Sequence, residues 1–223
     1  VANQTITYGS ADPALNLVYS GFTGTDSIAN VVTTGSIGSS SDYTMGKGVG
    51  TYPVTIAMTD YKSTNYEFVA ATDCVITVVK KNITVTAPST TVTYGDAKPE
   101  FLVSQIVLEE DALYVNDSLA NLNTQAQFSI TTTYEKGSPV ADYDVVVSAA
   151  GKADNYEFTF VNGKVKVNKA VLTVTADNKT ITYGDAAPYF TVSYSGWVTS
   201  DQTAPDGAAE ISTAYIKGND AGN

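Results

Sequence analysis

The sequence predicts an all-β protein built from tandem copies of one module. Three observations predict it. Short anchors recur along the chain in one order, most of them alternate apolar with polar residues, and Thr, Val, Tyr and Gly are prominent while long Leu/Glu/Lys/Ala runs are nearly absent. β-Branched and aromatic side chains fit a pleated, half-buried surface, so this composition favours strands.

The first anchor is Thr5-Ile6-Thr7-Tyr8-Gly9, repeated as Thr91-Val92-Thr93-Tyr94-Gly95 and as Thr180-Ile181-Thr182-Tyr183-Gly184. A proline follows each tyrosine at one distance: Pro13, Pro99 and Pro188. The tyrosines lie 86 and 89 positions apart. The three glycines are expected at backbone positions that demand a left-handed conformation.

A second anchor, Tyr19-Ser20-Gly21-Phe22, returns as Tyr194-Ser195-Gly196-Trp197. Tyr52-Pro53-Val54-Thr55-Ile56 corresponds to Tyr143-Asp144-Val145-Val146-Val147, a strand with one buried face. Asn65-Tyr66-Glu67-Phe68 corresponds to Asn155-Tyr156-Glu157-Phe158. Asn162-Gly163 predicts a hairpin between strands at 156–161 and 164–167. Thr25-Asp26-Ser27-Ile28 predicts a short capped helical turn, and its counterpart near 109–122 has room for one or two turns.

These alignments divide the chain into repeats at 1–79, 80–168 and 169–223. The first lacks the alternating strand that opens the others (83–87 and 171–176), and the third lacks the later strands. Few residues separate the copies, so the modules are expected to stack as a semi-rigid rod. Open edges at the two ends invite strand addition from another copy of the chain. Within each module the succession of short strands predicts an immunoglobulin-like β-sandwich; a β-grasp with one short helix is the alternative.

The charge balance removes several classes of partner. The chain carries a net charge of −11, every basic residue is Lys, and there is no His. Without Arg there is no planar fork for bidentate recognition of phosphate or guanine, and a negative field repels nucleic acid and anionic lipid. No apolar run reaches the roughly 20 residues that a membrane helix requires. No signal-peptide pattern opens the sequence, so the chain is expected to be a piece of a longer protein.

Taken together, the Thr-Val/Ile-Thr-Tyr-Gly, Tyr-Ser-Gly-aromatic, Asp142-Tyr143-Asp144-Val145 and Asn155-Tyr156-Glu157-Phe158…Asn162-Gly163 motifs resemble the MBG ("mostly beta, glycine-rich") repeat with its Tyr-Gly signature. The resemblance covers the whole chain and departs from the pattern at 105–108. It implies an extracellular or cell-surface bacterial setting and an adhesive or stalk role, and it brings no catalytic residues.

The residues themselves point the same way. Without His, the common nucleophile–base pairs and His-containing metal sites are excluded. Cys74 aligns with Gly163 and reads as a structural thiol. Glu109-Glu110-Asp111 reads as a solvated acidic loop. The one cofactor considered is calcium. Asp96 and Asp185 follow Tyr-Gly in matching loops, and Asp26 and Asp201 occupy another pair, where hard oxygen ligands would suit the ion; Asp also caps turns in such places.

The expected function is therefore a non-catalytic stalk segment of a large bacterial surface adhesin that projects a distal binding domain. Its partners are the neighbouring repeats. One alternative is an adhesive module whose loops at 36–41, 109–123 and 199–207 bind a host glycan or protein. Another is a subunit of an extracellular filament joined by exchanged strands.

Overall fold

A computed structural model of the chain describes residues 1–198 and 209–220. It is mostly β, with thirteen strands and two short α-helices among those residues. Two compact units result, and the division runs through the second repeat. The first comprises Val1–Ala87, Leu102–Ile130 and Val146–Asn162; the second comprises Pro88–Phe101, Thr131–Val145 and Gly163–Asn223.

In the first unit, β1 (Gln4–Thr7), β2 (Val32–Ser41), β3 (Gly50–Ser63) and β4 (Val75–Val79) form one sheet in the order β1-β4-β3-β2. β1 runs parallel to β4, and β3 runs antiparallel to both β4 and β2. The alternation in β4 buries Ile76 and Val78. The 36–41 segment is not a loop. Its Ser and Gly residues lie in β2, paired with β3 from Ser36↔Thr59 to Ser41↔Val54. A Ser/Gly-rich edge strand carries a loop-like composition, because one of its faces is left to water.

The same unit holds β5 (Lys81–Thr86), β7 (Val107–Leu108) and β10 (Tyr156–Val161) as a second sheet, with β5 between the other two. β5 is parallel to β10 and antiparallel to β7. Ile83, Val85 and Ala87 are at most 3% exposed, as expected of a central strand.

The second unit contains β6 (Thr90–Thr93) and β11 (Gly163–Asn168), which belong to a sheet ordered β6-β11-β9-β8, where β8 is Phe128–Thr132 and β9 is Asp142–Ala149. It also contains the pair β12 (Thr173–Ala176) and β13 (Val192–Ser195), which are antiparallel. β6 pairs with β11 in the register that β1 keeps with β4: Val92 faces Val167 as Ile6 faces Val78. The repeat in sequence is thus a repeat in hydrogen bonding.

The expected hairpin at Asn162-Gly163 does not form. β10 and β11 lie in different sheets, and each takes a parallel partner from the start of the repeat, β5 and β6 respectively. Gly163 is itself the first residue of β11, buried and paired with Val145. One residue then remains between the strands, too few for a two-residue hairpin turn.

Both expected helical turns are present. α1 (Ile28–Val31) is one turn with no buried residue, and Asn30 Oδ1 accepts the Ser27 N–H at 2.7 Å. It is too short to cover a sheet as the helix of a β-grasp does. α2 (Leu119–Ala126) lies toward the end of the segment in which a helix was expected and runs past it. Ser118 Oγ accepts the Asn121 N–H, Gln127 closes the helix in the left-handed conformation, and Leu122 and Ala126 face the core.

Candidate functional site at the junction of the first two repeats

The Tyr-Gly turn is built identically in all three copies. The residue after Gly returns its N–H to the Thr carbonyl before Tyr: Ser10 to Thr7, Asp96 to Thr93 and Asp185 to Thr182. The glycines have φ of +83°, +94° and +89°, as their recurrence predicts. A tyrosine from later in the repeat then seals each turn. The hydroxyls of Tyr43, Tyr134 and Tyr215 donate to the carbonyls of Ser10, Asp96 and Asp185 at 2.7, 2.9 and 2.9 Å. Sequence reading missed this contact. The signal was there in the Tyr43/Tyr52 and Tyr134/Tyr143 pairs, equally spaced and in edge-to-face contact at 5.5 and 5.6 Å.

The first turn faces the second repeat within one compact unit. The Tyr8 ring is buried edge-to-face against Tyr114 at 5.6 Å and Tyr156 at 5.4 Å. The Tyr8 hydroxyl donates to Asp117 Oδ2 at 3.0 Å, and the Tyr156 hydroxyl donates to the same oxygen at 2.6 Å. Tyr156 Oη also accepts the Tyr114 N–H at 2.9 Å. Around this centre, Asn155 Oδ1 accepts the Val49 N–H at 3.0 Å, and the Asn155 carbonyl accepts the Lys81 N–H.

Close approach explains two glycines here. A Cβ on Gly9 would stand 3.2 Å from Tyr114 Cδ2, and one on Gly46 (φ +93°) would stand 2.6 Å from the Tyr114 hydroxyl. At the second Tyr-Gly turn, Val198 occupies the corresponding place, 2.7 Å from a Cβ built on Gly95. At Gly184 no described residue stands within 4 Å of that position.

The electrostatics follow from the geometry. Burial, then the hydrogen bond to Asp117 and its negative charge, push the Tyr8 phenol up to about 12. The same causes, burial first, raise Tyr156. Both hydroxyls therefore stay protonated donors at any physiological pH. The arrangement holds two repeats together; it presents no nucleophile paired with a base.

The four aspartates considered for calcium are placed as follows. Asp96 Oδ2 accepts the Thr93 N–H at 2.7 Å, and Asp185 Oδ2 accepts the Thr182 N–H at 3.0 Å, so both carboxylates brace their own Tyr-Gly turns. Asp26 Oδ2 accepts the Tyr66 hydroxyl at 2.6 Å. Asp201 lies outside the described residues, as does the 199–207 loop. Among the described residues no three of His, Cys, Asp and Glu gather as a metal site would require. Cys74 is buried, with its thiol donating to the Val1 carbonyl at 2.9 Å. The 109–123 segment, read from sequence as a variable loop, supplies Tyr114 and Asp117 to the junction. No counterpart in the other copies marked them.

A recurrent β-rich module whose Tyr-Gly turn is sealed from within, and at the first two turns is covered by the next copy, defines a tandem-repeat protein of structural type. A family model described as MBG domain (YGX type) matches residues 1–73, 83–166 and 172–223. The chain belongs to that family and carries three of its repeats. The MBG domain is a repeat module of surface proteins. No curated protein and no solved structure matches the chain. No helix among the described residues is long and apolar enough to cross a membrane.

Proposed function

We propose that the chain is a non-catalytic stalk segment of a bacterial cell-surface adhesin, holding a distal binding domain away from the cell. The observation that carries this reading is the Asp117 carboxylate shared by Tyr8 of one repeat and Tyr156 of the next. A hydrogen-bonded, aromatic-packed junction resists bending, which a spacer requires and a flexible linker lacks. The absence of His from the sequence supports the non-catalytic part. Membership of a surface-protein repeat family supports an extracellular location.

For the module we favour an immunoglobulin-like sandwich. Its strands are shared between two sheets in the second repeat. Its tyrosine corners support this: the Tyr52 and Tyr143 hydroxyls donate four residues back, to the carbonyls of Gly48 and Pro139. The parallel pairs β5–β10 and β6–β11 are a variation on that plan.

Spin labels placed on β2 and on α2, measured by pulsed electron resonance, test the stalk reading. A narrow distance distribution that broadens in Asp117→Ala is expected. A broad distribution in the unsubstituted chain would overturn it. Saturable binding of the chain to a glycan or mucin surface would transfer the adhesive role to these repeats themselves.

A further inference from the structure

β2 is an edge strand of ten residues, paired with β3 on one side and with no strand on the other among the described residues. It is the longest edge strand among them. Sheet edges are usually blunted by brevity, by charged side chains, by proline or by bulges. The bulges of β2 lie between Val32 and Ser36. From Ser36 to Ser41 it pairs with β3 without interruption and carries neither a charge nor a proline.

The register fixes which backbone groups face outward. The Val54 N–H donates to the Cys74 carbonyl at 2.8 Å, so Val54 turns its backbone toward β4 and away from its β2 partner, Ser41. Strand alternation then turns Ser36, Gly38 and Ser40 toward β3 and leaves the N–H and C=O of Ile37, Ser39 and Ser41 on the outer edge, where no backbone group of the described residues meets them. In the second repeat β8 holds the same edge position, so the edge belongs to the module. There the Phe128 N–H, the counterpart of the Ile37 N–H, is taken by Asn123 Oδ1 of α2 at 2.8 Å. The first repeat has only the single turn α1 in that place, and the Ile37 N–H stays open.

We infer that β2 pairs along this edge with β2 of a second copy of the chain, antiparallel and about a two-fold axis at Ser39. This register sets Ile37 opposite the second copy's Ser41 and Ser39 opposite its own equivalent, which gives about six backbone hydrogen bonds. The edge is its own complement: each outward donor meets an outward acceptor at the same spacing, which selects a second copy over an unrelated strand. Gly38 falls opposite the second copy's Ser40; both are small and exposed, and a Cβ on Gly38 would meet nothing within 4 Å. Asp42 falls opposite the second copy's Ser36, so no two carboxylates face each other across the pair. For chains that each carry −11, an uncharged edge is a place where two copies approach with little local repulsion. Both copies use the same surface, so the contact closes at two chains.

Sedimentation of the full chain over roughly 1 to 500 µM tests this, with mean mass expected to rise toward twofold and stop there. Gly38→Lys combined with Ser40→Lys sets like charges opposite each other across the axis, and this variant, its fold checked by circular dichroism, is expected to stay monomeric. It also lowers the net negative charge, so a general charge effect would favour association instead. In a Cys74→Ser background, Ser39→Cys is expected to give a disulfide-linked dimer under mild oxidation, because directly paired residues of this kind stand about 5.5 Å apart at Cα. Thr59→Cys, exposed on β3, is expected to give none. A constant monomer mass without the Ser39→Cys cross-link would overturn the proposal. Association that survives the paired lysines, or a cross-link through Thr59→Cys in place of Ser39→Cys, would also overturn it, because another surface would then make the contact.

Discussion

Tyr8 and Asp117 stand 109 positions apart in the sequence, and the hydroxyl of one donates to the carboxylate of the other at 3.0 Å. Tyr156 donates to the same oxygen at 2.6 Å, so one carboxylate serves a signature residue from each of two repeats. The Tyr-Gly signature is therefore more than a turn. Its glycine lets the backbone bend with φ positive, and in the first copy its tyrosine, Tyr8, ties that bend to the following copy.

Asp117→Ala is expected to cost about 2 kcal/mol of stability, because it strands two partly buried hydroxyls that share a charged acceptor. Asp117→Asn, which keeps one acceptor oxygen, should cost less. Urea denaturation monitored by tyrosine fluorescence measures both, and equal, negligible effects would show that the bridge does not hold the junction.

Alkaline stability follows from the raised phenols. Tyr8 titrates near 10 when unfolded and at about 12 when folded, so the folded state holds its proton more tightly. Its stabilising contribution is complete below pH 10 and is lost as pH climbs from 10 to 12. Tyr156 and Tyr61 are raised as well, chiefly by burial, and add to the same decline. Melting temperature against pH should fall across this window, and Tyr8→Phe should fall less steeply. Parallel curves would remove Tyr8 from the account.

Glycine substitutions separate backbone strain from junction packing. Gly184→Ala is expected to meet chiefly the penalty for an alanine at positive φ, about 1 kcal/mol, since no described residue stands within 4 Å of its Cβ position. Gly9→Ala carries that penalty and also presses on Tyr114 at 3.2 Å. Calorimetry should show a larger loss for Gly9→Ala, and the reverse order would contradict the role given to Tyr114.

Tyr134→Phe deletes a fully buried hydroxyl and leaves the Asp96 carbonyl without its donor. A loss of about 1 to 2 kcal/mol is expected. Tyr215→Phe makes the equivalent deletion at a more exposed contact and should cost under about half as much, because water replaces the lost partner. Chemical denaturation of the two variants side by side checks the ranking.

The recurrence of residues was enough to reveal three copies, most of the strands and the positive-φ glycines. Each depends on local chemistry that a single sequence displays: period-two alternation, turn residues and spacing. The failures share one cause. Asn162-Gly163 has the local chemistry of a hairpin, yet β10 and β11 each find a parallel partner some 75 residues earlier in the chain. Residues 36–41 look like a loop and are held as a strand by β3. Tyr114 and Asp117 lie where the copies differ most, so no repetition could mark them.

By itself, then, the sequence determined the module, its strands and the shape of its signature turn, because these follow from side-chain alternation and backbone sterics within a few residues. The tertiary structure decided which strands pair and what covers the Tyr-Gly turn. Pairing is a competition among all available edges, and a covering contact requires two surfaces to meet. The Tyr8–Asp117 hydrogen bond exists only once residues 109 positions apart are brought into contact.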